Sequence, residues 1–313
     1  MSTATVDGKA RPGALKPRRR RGGPTLAQRE GRWGYLFAAP AGLHIALWTG
    51  LPVIVALVLS LTDYDMLTAL EFIGFDNYVT LANDPIFWRA LLNNFVLAIV
   101  GIPISMLISL MLAVMLNQGL RGEGIYRTAV FLPYVTATVA VAMIWLWIYS
   151  PGDNGLVNVF LGFLGLPSQP FLVSPDQALP SVIFVTIWQG IGLKMMIYLA
   201  SLQGIDQQLY EAADIDGASA IQKFFRITIP MLKPVTFFIL VTSIVGNFQT
   251  FDLIYILTSG GPANSTTVIT YQIYQTAFQQ FRMGLATAQS VVLLVVLVIL
   301  TIVSRKITGG KDD

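Results

Sequence analysis

The sequence predicts an all-α membrane protein with six transmembrane helices and both termini on the cytoplasmic side. Three observations carry that prediction. Only 12% of the 313 residues are charged and 54% are hydrophobic, against roughly 25% charged in a typical soluble domain. Six windows are apolar over the ~20 residues needed to cross a bilayer: about 35–61, 91–116, 128–149, 181–202, 235–257 and 285–303. Basic residues are then distributed unevenly between alternate loops. Nine Lys and Arg lie in residues 1–33, with Arg121 and Arg127, then Lys223, Arg226 and Lys233, then Arg305, Lys306 and Lys311 on the same side. Arg89 and Arg282 stand alone on the other side, and Lys194 falls within the fourth window. Basic loops stay in the cytoplasm, so the orientation follows from the count.

The elements follow in order. Residues 1–33 form a basic tail rich in Pro and Gly, expected to be disordered and to act as a topology signal, with binding to anionic lipid headgroups as the alternative. Nucleic acid is not expected as a partner. The first window contains Pro40 and Pro52 and is too long for a cleaved signal peptide, so it is read as a retained span. Residues 34–306 form the membrane domain, with a cytoplasmic loop at 203–234, and 307–313 a short C-terminal tail. The outer loop 62–90 carries Asp63, Asp65, Glu71, Asp76 and Asp84. The loop 150–180 includes a short apolar piece at 156–164, expected to be an interfacial helix. The loop 258–284 holds Ser-Gly-Gly-Pro and then a helical stretch rich in aromatic residues and Gln.

Several chemistries are excluded. With no cysteine there is no disulfide, thiol nucleophile or thiolate metal site. A single histidine, His44, leaves no histidine metal cluster and no plausible Ser-His-Asp triad. The phosphate-loop pattern G-x-x-x-x-G-K-[ST] is missing, so this chain is not expected to hydrolyse ATP. It is read as a non-enzyme that binds no cofactor of its own.

One stretch, 206–230, is polar and helix-forming between two apolar runs. Asp206 is placed to cap a helix over residues 207–215. Gly217 interrupts, and Asp216 is expected to cap a second helix ending at Pro230. Ala212, Ala213, Gly217, Ala218 and Ala220 are small and allow close approach. Leu209, Ile215, Phe224 and Phe225 supply apolar contacts. The stretch reads as a bent helical pair suited to docking.

Polar residues inside spans are costly in lipid and tend to line interiors or pathways. Ser243, Asn247 and Thr250, spaced by four and three, share one helix face, and Gln249 and Asp252 point elsewhere. Thr186, Gln189 and Gly190 lie within two turns of span four. Hydroxyls and amides without a charge suit a neutral polyol, and Trp145, Trp147, Trp188 and Phe251 are available for stacking on sugar rings. The alternative for these polar groups is helix-to-helix bonding. Lys194 is read as a structural residue that snorkels to the cytoplasmic face. A stand-alone secondary transporter or channel for a small polar solute is the other functional class these residues allow. It is disfavoured because no acid sits clearly at mid-membrane.

Glu211-Ala-Ala-Asp-Ile-Asp-Gly217, followed by Ile227-Thr-Ile-Pro230, resembles the EAA signature of the membrane subunits of bacterial binding-protein-dependent ABC importers. Tyr210 ahead and Asp216-Gly217-Ala218 within it are similar to the carbohydrate-uptake branch. Thr258-Ser-Gly-Gly-Pro262, with Ile273, Tyr274 and Phe278, is similar to the first of that branch's two permease types, which includes the larger membrane subunit of the maltose transporter. The resemblance covers about residues 33–306. The chain is expected to differ from that subunit in lacking a large extracytoplasmic domain and extra N-terminal spans.

The resemblance implies a type I ABC importer permease fold in the bacterial cytoplasmic (inner) membrane. It implies a second permease subunit, an ATPase dimer that carries ATP and Mg, and an extracytoplasmic sugar-binding protein as partners. Coupling to the ATPase would involve Glu211, Ala212, Ala213, Asp216, Gly217, Ile227 and Pro230. The family's sugar contacts would fall at or near Thr186, Gln189, Gly190, Ser243, Asn247 and Thr250. Of these, Gly190, Ser243 and Asn247 match in residue type.

Overall fold

The structure is a computed structural model and describes residues 26–119 and 121–308. It divides into two units, one ending at Ile54 and the other beginning at Val55. The first holds α1 (Leu26–Ile45), a π-helical turn at Ala46–Gly50 and the start of α2 (Leu51–Leu59). Residues 26–33, expected as tail, are helical, because Leu26 already opens α1. Residues 1–25, with most of the basic tail, lie outside the described residues, as do 309–313. The stretch Phe37–Leu59 is long and apolar enough to cross a membrane.

The second unit begins with a short antiparallel pair. β1 (Thr62–Asp63) meets β2 (Glu71–Phe72), with Thr62 opposite Phe72. A short helix follows, α3 (Asp76–Ala82), and its Asn77 donates to the Ser60 and Thr62 carbonyls at 3.0 and 2.9 Å. The acidic loop 62–90 is thus folded down on backbone acceptors that would otherwise be unpaired. Asp65 lies in the hairpin turn. Its carboxylate accepts from the Thr68 and Leu67 N–H groups, which hold its pKa below the usual value.

Next come α4 (Pro85–Leu116), α5 (Glu123–Val135), α6 (Thr138–Ile148), α7 (Leu156–Phe163) and α8 (Pro175–Gln203). The short α7 stands where an interfacial helix was expected. After α8 the chain forms α9 (Gln207–Ile215), α10 (Ala220–Met231), α11 (Lys233–Phe248), α12 (Asp252–Leu257), α13 (Ile269–Tyr274) and α14 (Met283–Thr308). Among the described residues four helical stretches are long and apolar enough to span a bilayer, and six if each of two bent pairs counts as one span.

Those bent pairs correct the expected windows. The 128–149 window is two helices, α5 and α6, meeting at 96°. Pro133 removes one helix donor three residues before the extended Thr136 and Ala137. The 235–257 window also breaks. Its helix ends at Phe248, and the chain resumes as α12 only at Asp252. The Thr250 carbonyl released by the break is taken by the Thr270 hydroxyl at 2.6 Å. At the other end, α10 meets α11 at 61° around Leu232, just ahead of Pro234 at the start of α11.

Packing centres on α8, which runs along α4 and α5. Gly192 makes the contact with α5 possible. A Cβ there would lie 2.5 Å from the Val130 carbonyl oxygen and 2.8 Å from the Phe131 Cα. One apolar cluster joins Trp145, Val182, Val185, Ile254 and Tyr271. A second joins Ala113, Met195, Tyr198, Leu199 and Ile239. Two buried asparagines fasten the loop after α12 to α4: Asn93 donates to the Thr267 carbonyl at 2.8 Å, and Asn94 accepts from the Ile269 N–H at 2.9 Å. That loop therefore has a fixed position, although little of it is regular.

Candidate functional site

A cleft of about 550 Å³ opens between α4, the α5–α6 bend, α8 and α11. All six residues expected on the pathway line it: Thr186, Gln189 and Gly190 from α8, Ser243 and Asn247 from α11, and Thr250 from the break that follows α11. The helical spacing that put them on common faces is the reason the residues of α8 and α11 converge; Thr250 joins them from the break after Phe248. A smaller cleft of about 230 Å³ adjoins it and shares Thr138, Thr186, Gln189 and Thr250. Its wall also holds Gln249, Phe251 and Asp252. Gln249 and Asp252 were expected to point away, on the assumption of an unbroken helix. The break after Phe248 turns them into the wall.

The hydrogen bonds separate lining groups from groups tied into the fold. Thr186 donates to the Val182 carbonyl at 2.9 Å within α8, and Thr250 donates back to the Gly246 carbonyl of α11 at 3.3 Å. Neither hydroxyl bridges helices, so their oxygen lone pairs remain available to a solute. Gln189 reaches across to Thr138, at a long 3.4 Å. Asn247 is 7% exposed, and its Oδ1 accepts no hydrogen bond. A buried acceptor left unmade costs about 1–3 kcal/mol, which a small shift of the side chain toward a solute hydroxyl in the cleft would recover. Changing Asn247 to Leu is therefore expected to lower transport severalfold while the complex still assembles. A transport assay beside the yield of purified complex checks this, and loss of the complex would make Asn247 a structural residue.

Other wall residues were not expected. Thr138, Tyr134, Thr242, Ser105 and Lys194 all line the cleft. Thr138 was hidden because its window read as one helix; Pro133, five residues earlier, was the available signal of a break. Lys194 departs from the snorkelling reading. Its ammonium folds back to the Gly190 carbonyl at 3.3 Å, within the cleft wall. The expected aromatic platform is also revised. Trp145 packs in the core against Tyr149, Phe184 and Trp188, and Trp147 borders a separate cleft. Of the four aromatics named, Phe251 alone reaches the adjoining cleft.

The polar stretch forms a two-helix corner. Asp206 caps α9 by accepting from the Gln208 N–H at 2.9 Å, as expected. The second cap differs: Ser219, with Gln222, makes a capping box for α10, and Asp216 ends α9 instead. The second helix continues through Pro230 to Met231 by way of a π-helical turn at Phe224–Thr228. Two contacts brace the corner, Tyr210 to Thr228 between hydroxyls at 2.9 Å and Lys223 to Asp214 at 2.6 Å. Glu211, Ala212, Asp216, Gly217 and Pro230 are exposed, and Ala213 and Ile227 are half-buried. Ile215 is 88% exposed and Ile221 71%. The corner thus shows bare apolar residues beside a carboxylate.

This geometry agrees with comparisons to known proteins. Residues 80–308 match the family model described as the inner membrane component of binding-protein-dependent transport systems. The lactose transport system permease protein LacF of Rhizobium radiobacter is 40% identical over 272 residues, covering 85% of this chain and 90% of that protein. The sn-glycerol-3-phosphate transport system permease protein UgpA of Escherichia coli O6:K15:H31 is 35% identical over 287 residues, covering 90% and 95%. Among solved structures, a bacterial ABC transporter that imports the acidic polysaccharide alginate superposes with a TM-score of 0.78 at 26% identity, over 91% of this chain and 98% of that one. A second structure of a bacterial alginate ABC transporter, in complex with an alginate pentasaccharide-bound periplasmic protein, gives 0.77 at 28% identity, over 90% and 96%. The chain belongs to the binding-protein-dependent transport system inner membrane components, with the helical fold of a type I ABC importer permease.

Proposed function

We propose that this membrane permease subunit forms half of the pathway of an ATP-driven sugar importer, with both termini cytoplasmic and six spans once each bent pair is counted as one. The observation that carries the pathway is the convergence of Thr186, Gln189, Gly190, Ser243, Asn247 and Thr250 on one polar cleft. Relatives named for lactose and glycerol-3-phosphate, and solved relatives that carry alginate, support a sugar or polyol as cargo. A second permease subunit would close the other half of the cleft. A binding protein outside would deliver the solute.

Energy would enter through α9 and α10. In this reading a separate ATPase pair, holding ATP and Mg, grips the corner at Glu211, Ala212, Ala213, Asp216, Gly217, Ile227 and Pro230. Closure of that pair moves the corner, and the 61° junction at Leu232 passes the motion to α11, which carries Ser243 and Asn247 and leads directly to Thr250. ATP shifts the conformational balance only by binding one state better than the other. The docked corner is where that difference is transmitted.

Glu211 tests the coupling directly. Its side chain is exposed and makes no hydrogen bond or ion pair among the described residues, so Glu211→Lys leaves the fold intact. The variant is expected to lose uptake and to co-purify at least tenfold less ATPase. Normal uptake with wild-type amounts of bound ATPase would end the coupling assignment.

A further inference from the structure

The cleft holds one charge. Lys194 contributes its ammonium to the wall, and no Asp or Glu lines the same space. Its hydrogen-bond partner is the Gly190 carbonyl at 3.3 Å, and no carboxylate pairs with it among the described residues. Asp252 borders the adjoining cleft rather than this one. A cation within a membrane-spanning segment and without a counter-charge is costly, and is characteristically answered by a partner or by cargo. Gly190 makes room for it: a Cβ on Gly190 would stand 2.8 Å from the ammonium nitrogen. The notch and the lysine therefore form one feature, four residues apart on α8. Asn247, whose Oδ1 has no hydrogen-bond partner, lines the same cleft, and a carboxamide oxygen can accept from a hydroxyl. A donor-only cation and a hydroxyl acceptor suit different parts of one solute.

We propose that Lys194 makes the pathway selective for a sugar or polyol bearing an anionic group, a carboxylate or a phosphate, with Gly190 keeping the ammonium inside the cleft. This rests on the sugar-importer reading and replaces the neutral cargo that the uncharged residues of spans four and five suggest. The anion meets Lys194, and hydroxyls meet Asn247 and the neighbouring Ser243 and Thr242. Lys194 acts as a specificity residue, separate from the coupling corner.

The test uses the complete importer, with both permeases, the ATPase and the cognate binding protein, in proteoliposomes. Stimulated ATPase activity and uptake are measured with three probes: a neutral disaccharide, a uronic-acid oligosaccharide and glycerol 3-phosphate. One anionic probe is expected to stimulate most, and which one it is distinguishes carboxylate from phosphate. Lys194→Met is expected to reduce its uptake at least tenfold with unchanged yield of the complex, while Lys194→Arg retains most of it. A neutral probe that stimulates most overturns the inference and leaves the sugar reading standing. Wild-type uptake of the anionic probe by Lys194→Met overturns it as well. So does a Met variant that fails to assemble while the Arg variant assembles, because Lys194 would then answer a carboxylate of the second permease. Stimulation by none of the three removes the sugar reading and the inference with it.

Discussion

Gly217→Val abolishes ATP-driven uptake while the protein still reaches the membrane; that is the expected result, and the backbone explains it. Gly217 sits at φ +74, a left-handed conformation that costs a β-branched residue about 1–3 kcal/mol. The corner around it is a Schellman closure. The Ala218 N–H reaches the Ala213 carbonyl at 2.9 Å and the Gly217 N–H the Asp214 carbonyl at 3.1 Å. A Cβ at Gly217 meets nothing within 4 Å, so the penalty is conformational rather than steric. The chain relieves it most cheaply by unwinding the end of α9, a nine-residue helix too short to be stable alone. Lys223 and Asp214 then separate, and the exposed Ile215 no longer presents with Ile221. The spans are untouched. Membrane yield, ATPase co-purification and uptake measured together check this. Gly217→Asn is expected to retain most activity, since Asn tolerates the left-handed region. Equal failure of Asn and Val would mean that any side chain blocks docking, and full activity of Val would mean that the corner geometry does not matter.

The second large effect concerns assembly. Gly192→Val is expected to prevent accumulation of folded protein. The obstacles a Cβ would meet are the Val130 carbonyl oxygen and the Phe131 Cα, both backbone atoms that cannot rotate aside. Over-packing a well-packed interior typically costs about 1–3 kcal/mol, and here α8 must also move away from α5. Such close helix approaches across small residues are a principal way that membrane helices associate. Gly246→Ala on α11 is the control, because a Cβ there meets nothing within 4 Å. Size-exclusion profiles and thermal midpoints of the purified complex distinguish the two. A monodisperse Gly192→Val complex with a wild-type midpoint would show that α8 has freedom to shift.

Much of the architecture was legible because lipid imposes simple rules. The α9 helix was bounded correctly at Gln207 and Ile215, since Asp206 and Gly217 are strong local signals with no competitor. The convergence of Thr186, Gln189, Gly190, Ser243 and Asn247 on one cleft was legible because a period of 3.6 brings them onto shared faces. The interruptions were not. Hydropathy reports how apolar a window is and is blind to a 96° corner inside it, so Thr138 was missed and Gln249 and Asp252 were turned the wrong way. Asp216 was expected as the second cap and Ser219 takes that place; both residue types cap helices, and local sequence does not arbitrate between them.

What the sequence determined by itself was the membrane setting, the polar corner between α8 and α11, and the set of polar side chains facing a common interior. Each depends on composition or on neighbours within a few residues. What only the tertiary structure decided was the shape of the cleft and its charge. Lys194 lies on α8 beside Gly190, and whether its ammonium leaves toward water or turns into the cleft depends on the packing of α4, α5 and α11 around it. That packing is set by contacts such as Gly192 on Val130, between residues 62 positions apart, which no local pattern encodes.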